Sequence, residues 1–231
     1  ARNKIEGKEL FGYHDLVISN GKDEHSFTPN WMRTYRFVSF EIETFSEALH
    51  INTFVNHRSR TKIPSTAQFV SDNQMYNEIF DICKRTVDIC TQDYFLSDAY
   101  YETMQYVGDT KVHAQLWQTF SGSLAHTKNA LKQFNQSRDA AGNILGAYPL
   151  RSTFIYPTYS LSWIDQIANY YDLSNDTTLV KELKPGILHT LYGFETNMNA
   201  EHLVKKTPYR YFVDWYIGPN DYQILKNGIN C

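Results

Sequence analysis

A chain of 231 residues with 42% hydrophobic and 20% charged side chains has enough apolar material for one large domain, or one and a half smaller ones, of ordinary soluble composition. Its net charge of −3 offers no basic field to hold nucleic acid, and no apolar run approaches the roughly 18–20 residues that span a bilayer. Cys83, Cys90 and Cys231 form an odd set without a C-x-x-C pair, so buried free thiols are expected and the compartment stays open.

Taken in chain order, the opening Ala1 to Gly7 is polar and charged and has no initiating Met. It does not read as a signal peptide, and the natural start is expected to lie elsewhere. Asn20-Gly21 is a hairpin-type turn signal and Pro29 closes another loop. Within 36–43, Val38, Phe40 and Ile42 alternate with Ser39, Glu41 and Glu43, the period of a half-buried strand. A second strand is expected over 48–55. Residues 1–65 are therefore expected to be the C-terminal part of a β-sandwich domain, with too few strands for a free-standing one.

The pattern changes near Ser71, where Ser71-Asp72-Asn73 supplies N-cap residues. Met75, Ile79, Ile82, Thr86 and Ile89 then follow at helical spacing. Helices are predicted over about 73–91, 104–121, 124–136, 159–172 and 176–199, separated by Gly122, Gly142, Gly146, Pro149 and Pro157. Residues 66–231 read as an array of helix pairs compatible with a toroid of helices, although such a toroid needs about a dozen helices. The last stretch, 208–231, returns to aromatic, turn-rich sequence.

Aromatic residues make up 15% of the chain, with tyrosine leading at 17 copies. Such residues fill cores, and they also suit a surface that stacks on sugar rings. The richest stretch for chemistry is 97–109, where Asp98, Glu102, Tyr106 and Asp109 recur at helical spacing. They share one helix face if that stretch is helical, or converge at a helix mouth if it is a loop entering one. Three carboxylates so placed repel one another, and repulsion raises at least one pKa, as a carboxylic acid that must stay protonated requires. A solvated acidic face on a surface helix is the plain alternative, but no Lys or Arg occurs there before Lys111.

The segment Asp98-Ala-Tyr-Tyr-Glu102-Thr-Met-Gln-Tyr106-Val-Gly-Asp109 resembles the acid motif of glycoside hydrolase family 78, the bacterial α-L-rhamnosidases. Further stretches resemble the same family in the same order: Phe27-Thr-Pro29-Asn-Trp31-Met-Arg33, Asp72-Asn-Gln-Met-Tyr-Asn-Glu-Ile-Phe80, Pro157-Thr-Tyr-Ser-Leu-Ser-Trp163 and Phe212-Val-Asp214-Trp215. The resemblance implies a mostly α fold, a partial (α/α)6 barrel preceded by the last strands of a β-sandwich. It also implies inversion at the anomeric carbon, no cofactor and no metal. The substrate would be a rhamnose-bearing glycoside or polysaccharide, with neither nucleic acid nor membrane as partner. Glu102 would be the general acid. Asp98 and Asp109 would hold sugar hydroxyls, Tyr106 would line the subsite, Trp163 and Trp215 would pack on the rhamnose, and Asp214 would accept hydroxyl bonds or orient a neighbour. A bacterial origin follows, with a periplasmic or secreted parent one option and the oligomeric state open.

One departure is visible. The family motif places Asp-Cys-Pro ahead of its core, with the aspartate five residues before the acid, whereas Ser97-Asp98-Ala99 stands here and its aspartate is only four before. The family's general base belongs to the later half of the barrel, past the position of Cys231. Glu182, Glu195 and Glu201 read as solvated, so this chain is expected to carry the acid without its base. The alternative function is a non-catalytic carbohydrate-binding or degenerate glycosidase module. His113 is expected to pack or hydrogen-bond within its helix, and His50, His57, His126, His189 and His202 lack ligand spacing.

Overall fold

The computed structural model describes residues 4–9, 11–22, 24–62, 66–205, 208–209 and 212. The chain divides into two compact units, Ala1–Ser59 and Arg60–Cys231.

In the first unit no helix or strand forms among the described residues. The two stretches expected to be strands, 36–43 and 48–55, carry no ladder. Val38, Phe40 and Ile42, the intended buried face, are 44%, 54% and 50% exposed. Period-2 alternation says which side chains would face a partner sheet, but only a paired neighbour satisfies the backbone and makes a strand. What order exists is local. Phe40 and Phe54 meet edge to face at 5.2 Å, and Arg33 donates to Asp15 at 2.9 Å while its guanidinium lies 5.2 Å from the Tyr13 ring.

The second unit holds five helices: α1 (Gln74–Ile89), α2 (Val107–Ser121), α3 (Ala125–Gln136), α4 (Pro157–Ser174) and α5 (Thr177–Thr196). All five match predicted helices, with ends displaced by a few residues. The start of α1 is set by Asn73, whose side chain accepts from the Met75 N–H at 3.0 Å. Pro157 occupies the first turn of α4, where its missing N–H is harmless, so the helix begins earlier than its apolar spacing suggested. Asp176 caps α5 by accepting from the Leu179 N–H at 3.0 Å and holds the Lys128 ammonium at 2.7 Å.

The core draws one stripe from each of α2, α4 and α5, together with Ala130, Leu131 and Phe134 of α3 and Val87 of α1. Val107, Ala114, Trp117 and Phe120 come from α2, Trp163, Ile167 and Tyr170 from α4, and Leu179 and Leu183 from α5. The residues from α2, α4 and α5 recur at intervals of three, four or seven, which line one helix face. Helix α4 is central and touches α2, α3 and α5, while α1 packs on α2. Each fully buried side chain of this size adds roughly 1.5–3 kcal/mol relative to exposure. In α1 the apolar row behaves differently from expectation: Met75, Ile79 and Ile82 are exposed, whereas Val87 is buried and Phe80 packs on Phe120 at 5.3 Å. Apolar spacing marks a face; which face docks is decided by the neighbours. No helix among the described residues is long and apolar enough to cross a membrane.

The α3–α4 connection lies directly on α5. The Thr190 hydroxyl donates to the Gly142 carbonyl at 2.6 Å, and a Cβ on Gly142 would overlap the His189 carbonyl. Gly142 also has φ +90°, a conformation that L side chains avoid.

Candidate functional site

The segment between α1 and α2 carries Glu102, and its path is fixed by hydrogen bonds at nearly every step. The Leu96 N–H donates to the Cys90 carbonyl at 2.8 Å and the Ser97 N–H to the Met104 carbonyl at 2.9 Å. Between those two points the chain doubles back, with the Asp98 N–H on the Glu102 carbonyl at 3.2 Å and the Met104 N–H on the same carbonyl at 2.7 Å. The Asp98 carboxylate fills the turn. One oxygen accepts from the Tyr100 and Tyr101 N–H groups, each at 2.6 Å, and the other accepts from the Glu102 N–H at 3.0 Å.

Gln105 ties this turn to the rest of the unit. It is 1% exposed; its carbonyl oxygen accepts from the Phe95 N–H at 3.2 Å, and its amide donates to Gln133 and to the Tyr148 carbonyl, both at 2.9 Å. Tyr106 bridges to Ala147, and the Val107 N–H reaches the Gly146 carbonyl at 3.0 Å. That pairing holds Tyr106 in an extended conformation, φ −74° and ψ 143°, and delays the start of α2 to Val107 rather than 104. Glu102 and Asp98 therefore stand on a loop entering a helix, with Asp109 in the first turn of that helix. A carboxylate in this turn complements the helix dipole where no side chain caps the end.

Electrostatically these groups form one cluster. Half-buried Glu102 has its carboxyl pushed above the ordinary 4.5, first by burial, then by the charge of Asp109 and then by that of Asp98. The Tyr106 phenol is also raised, by burial and then by Glu102, Tyr156 and Asp109. A carboxyl group so placed keeps its proton to higher pH than a free one and can deliver it to a neighbouring oxygen.

An aromatic wall stands beside the cluster. The Tyr106 and Phe154 rings lie 5.7 Å apart, Phe154 and Tyr156 5.2 Å, Tyr156 and Tyr159 5.3 Å, and Tyr156 and Phe212 4.8 Å. A Cβ on Gly108 would come within 3.0 Å of the Tyr159 ring, so glycine at the start of α2 lets the wall close on the helix. Phe154, Tyr156 and Tyr159 were not among the expected site residues. The run Phe154-Ile-Tyr156-Pro-Thr-Tyr159, three rings around a helix-starting proline, was the available signal.

The structure places Trp163 in the core of the helical unit. It is 0% exposed, and its indole N–H donates to the Leu131 carbonyl at 3.0 Å, so neither face is open to a ligand. A tryptophan in an apolar row at helical spacing fills the core, and that packing outweighs any use as a wall. Asp214 and Trp215 lie outside the described residues, as do Cys231 and Lys206. Of the other carboxylates, Glu182 is exposed and pairs with Lys132 at 2.8 Å, and Glu195 and Glu201 are exposed. The His113 ring stacks on Phe95 at 4.6 Å, and its Nε2 lies 3.0 Å from the Thr91 hydroxyl. Burial drives its pKa from 6.5 down to about 4, which leaves it a neutral packing residue. Among the described residues no group of three or more His, Cys, Asp or Glu side chains could hold a metal ion.

Comparisons with known proteins agree with one another. The family model described as the bacterial alpha-L-rhamnosidase 6 hairpin glycosidase domain matches residues 64–226. The fold is similar to that of a family 78 rhamnosidase from Bacillus sp. GL1, with TM-score 0.64 and 19% identity over 68% of this chain and 16% of that one. It is also similar to a rhamnosidase from Klebsiella oxytoca with rhamnose bound, with TM-score 0.54 and 19% identity over 67% of this chain and 29% of that one. No curated protein matches the chain.

Proposed function

The chain belongs to the bacterial α-L-rhamnosidase six-hairpin glycosidase family, and from that premise we propose that it contributes the general-acid side of a site hydrolysing terminal α-L-rhamnosides with inversion. The observation that carries this is the half-buried Glu102, held on a hydrogen-bonded turn with its pKa raised by burial and by Asp109 and Asp98. Protonated Glu102 gives its proton to the glycosidic oxygen as the bond to the anomeric carbon breaks. Water, activated by a second carboxylate roughly 6.5–9.5 Å away, attacks the opposite face of the oxocarbenium-like sugar. We assign that base to a part of the barrel beyond these residues. The chain spans 16% and 29% of the length of the two rhamnosidases it resembles. Residues 66–231 are accordingly read as the N-terminal half of an (α/α)6 barrel, and 1–65 as the end of a preceding β-sandwich.

Around the bound sugar, Asp109 accepts hydroxyl hydrogen bonds. Tyr106, with Phe154 and Tyr156, presents ring faces to the apolar C6 methyl of rhamnose. The roles that the resemblance implies for Asp214 and Trp215 fall outside the described residues. The substrate class, a rhamnose-bearing glycoside or polysaccharide, is supported by the rhamnose bound in the Klebsiella oxytoca neighbour.

The test is release of aglycone from an aryl α-L-rhamnoside by the chain completed with its downstream coding sequence. Glu102→Gln is expected to lower turnover by roughly 10²–10⁴-fold while rhamnose still binds, and the first sugar released by the parent enzyme is the β anomer. Unchanged turnover in Glu102→Gln would remove Glu102 from the chemistry. A second reading, a sugar-binding module without turnover, is favoured by the exposure of Glu182, Glu195 and Glu201 and the pairing of Glu182 with Lys132. Rhamnose binding without aglycone release, even in the completed protein, is the result it expects.

A further inference from the structure

The family resemblance makes an aspartate ahead of the acid a sugar ligand, but the local geometry points elsewhere. We infer that Asp98 is a positioning residue: its carboxylate clamps the Tyr100–Glu102 turn through three backbone N–H groups and so sets where Glu102 presents its side chain, instead of binding the sugar. This rests on the reading of Glu102 as the acid.

Three observations carry the inference. First, both carboxylate oxygens are engaged inside the turn, at 2.6, 2.6 and 3.0 Å, and the last of these bonds is to the backbone of Glu102 itself. Carboxylate-to-N–H bonds of this kind are among the stronger hydrogen bonds in proteins. Second, the backbone closes the same ring from the other side, since the Asp98 N–H donates to the Glu102 carbonyl at 3.2 Å. Residues 98 and 102 are thus tied to each other twice, and the side chain of Glu102 leaves from a fixed Cα. Third, the position five before the acid, where the family motif has its aspartate, is Ser97 here. The Ser97 hydroxyl accepts from the Tyr106 N–H at 3.2 Å, so it too is spent on holding the loop. Both Ser97 and Asp98 thus spend their side-chain oxygens on the loop's own backbone.

The chemistry of substitution separates clamp from ligand. Asparagine offers one carbonyl oxygen, so Asp98→Asn can keep the Tyr100 and Tyr101 bonds only by turning its NH₂ toward the Glu102 N–H, donor against donor. Asp98→Glu keeps the charge but carries the acceptors one methylene too far. Glu102→Gln leaves all three backbone bonds in place and serves as the control.

In the 231-residue chain, amide hydrogen exchange and carboxyl-carbon titration by NMR read the clamp without any need for turnover. Both Asp98 variants are expected to speed exchange of the Tyr100, Tyr101 and Glu102 amides by roughly tenfold or more, with α2 and α4 unaffected. Glu102 titrates at lower pH in Asp98→Asn, because the loosened turn exposes it and a neighbouring negative charge is gone, while Asp109 and Tyr106 remain beside it. In Asp98→Glu the charge stays, so any fall reports the loosening alone. In the completed enzyme the clamp variants lower kcat with KM little changed, whereas loss of a sugar ligand raises KM. Unaltered exchange of the three amides together with weakened rhamnose binding overturns the proposal. If Asp98→Asn does not fold, Asp98→Glu decides alone. A full rate in Glu102→Gln with the exchange result intact would overturn the acid assignment and leave the clamp standing as a structural feature.

Discussion

Glu102 is raised by three causes of different kinds, and their order predicts what a single substitution can do. Burial comes first, Asp109 second and Asp98 third. Removing the Asp109 charge by Asp109→Asn withdraws the larger of the two electrostatic contributions but leaves Glu102 as buried as before. Its titration midpoint is therefore expected to move down, yet to stay above the ordinary 4.5. In the active enzyme the limb of the pH profile that reports loss of the acid's proton shifts toward lower pH by the same amount. Carboxyl-carbon titration of the variant checks this directly. A midpoint that does not move would mean that the Asp109 carboxylate points away from Glu102 in solution. The Tyr106 phenol, whose raised pKa also includes Glu102 and Asp109 among its causes, should fall in parallel, which gives a second spectroscopic reporter of the cluster.

At the scale of elements, the site depends on how the α3–α4 connection seats on α5. Gly142 has φ +90° and no room for a Cβ beside the His189 carbonyl, and Gly193 of α5 likewise lets the Ala141 carbonyl approach. Gly142→Ala is expected to destabilise the helical unit by roughly 2–4 kcal/mol, the sum of a left-handed backbone cost and overpacking against main chain that cannot yield. Urea unfolding measures it, and a loss under about 1 kcal/mol would mean that the loop simply lifts off. Five helices were legible in the sequence because caps and apolar spacing are local: Asn73 begins the helix it announces, whereas Pro157, read as a breaker, opens the first turn of α4. What was not legible came from partners distant in the chain. Helix α2 starts late because Tyr106 pairs with Ala147. The 36–43 alternation found no ladder, and the apolar row of α1 faces outward although its spacing was read correctly. In the site, the spacing of Asp98, Glu102 and Asp109 announced carboxylates close enough to raise one another, while Trp163 shows that a residue type can match a signature and still be core. The run Phe154–Tyr159 was legible as aromatic, but its meeting with Tyr106 and Phe212 arises only when distant segments fold together.

For the helical unit as a whole, the titratable groups with shifted pKa values set how stability depends on pH, and they act in separate windows. His113 has its pKa lowered from 6.5 to about 4 by burial, so between those values the unfolded chain binds a proton that the folded one refuses. Stability is then fully present above 6.5 and falls as the pH drops toward 4, by an amount on the order of 3 kcal/mol at most. Asp176 is depressed from 3.8 to about 2, chiefly by the Lys128 ammonium and the Leu179 N–H. Its contribution is present above 3.8 and is lost as pH falls through 2. Glu102 works in the opposite sense: its raised pKa favours the folded state at low pH and loses that advantage as pH rises through the folded value. Thermal unfolding followed by near-ultraviolet dichroism of the buried Trp117 and Trp163 should show Tm falling between pH 6.5 and 4, and falling again below 3.8. His113→Gln, which can still reach the Thr91 hydroxyl but cannot take a proton, flattens the first window and leaves the second. Asp176→Asn, which keeps an acceptor for the Leu179 N–H but loses the ion pair, flattens the second and leaves the first. A His113→Gln profile as steep as that of the parent between 6.5 and 4 would place the acid sensitivity in another group and would require His113 to be solvated in the folded chain.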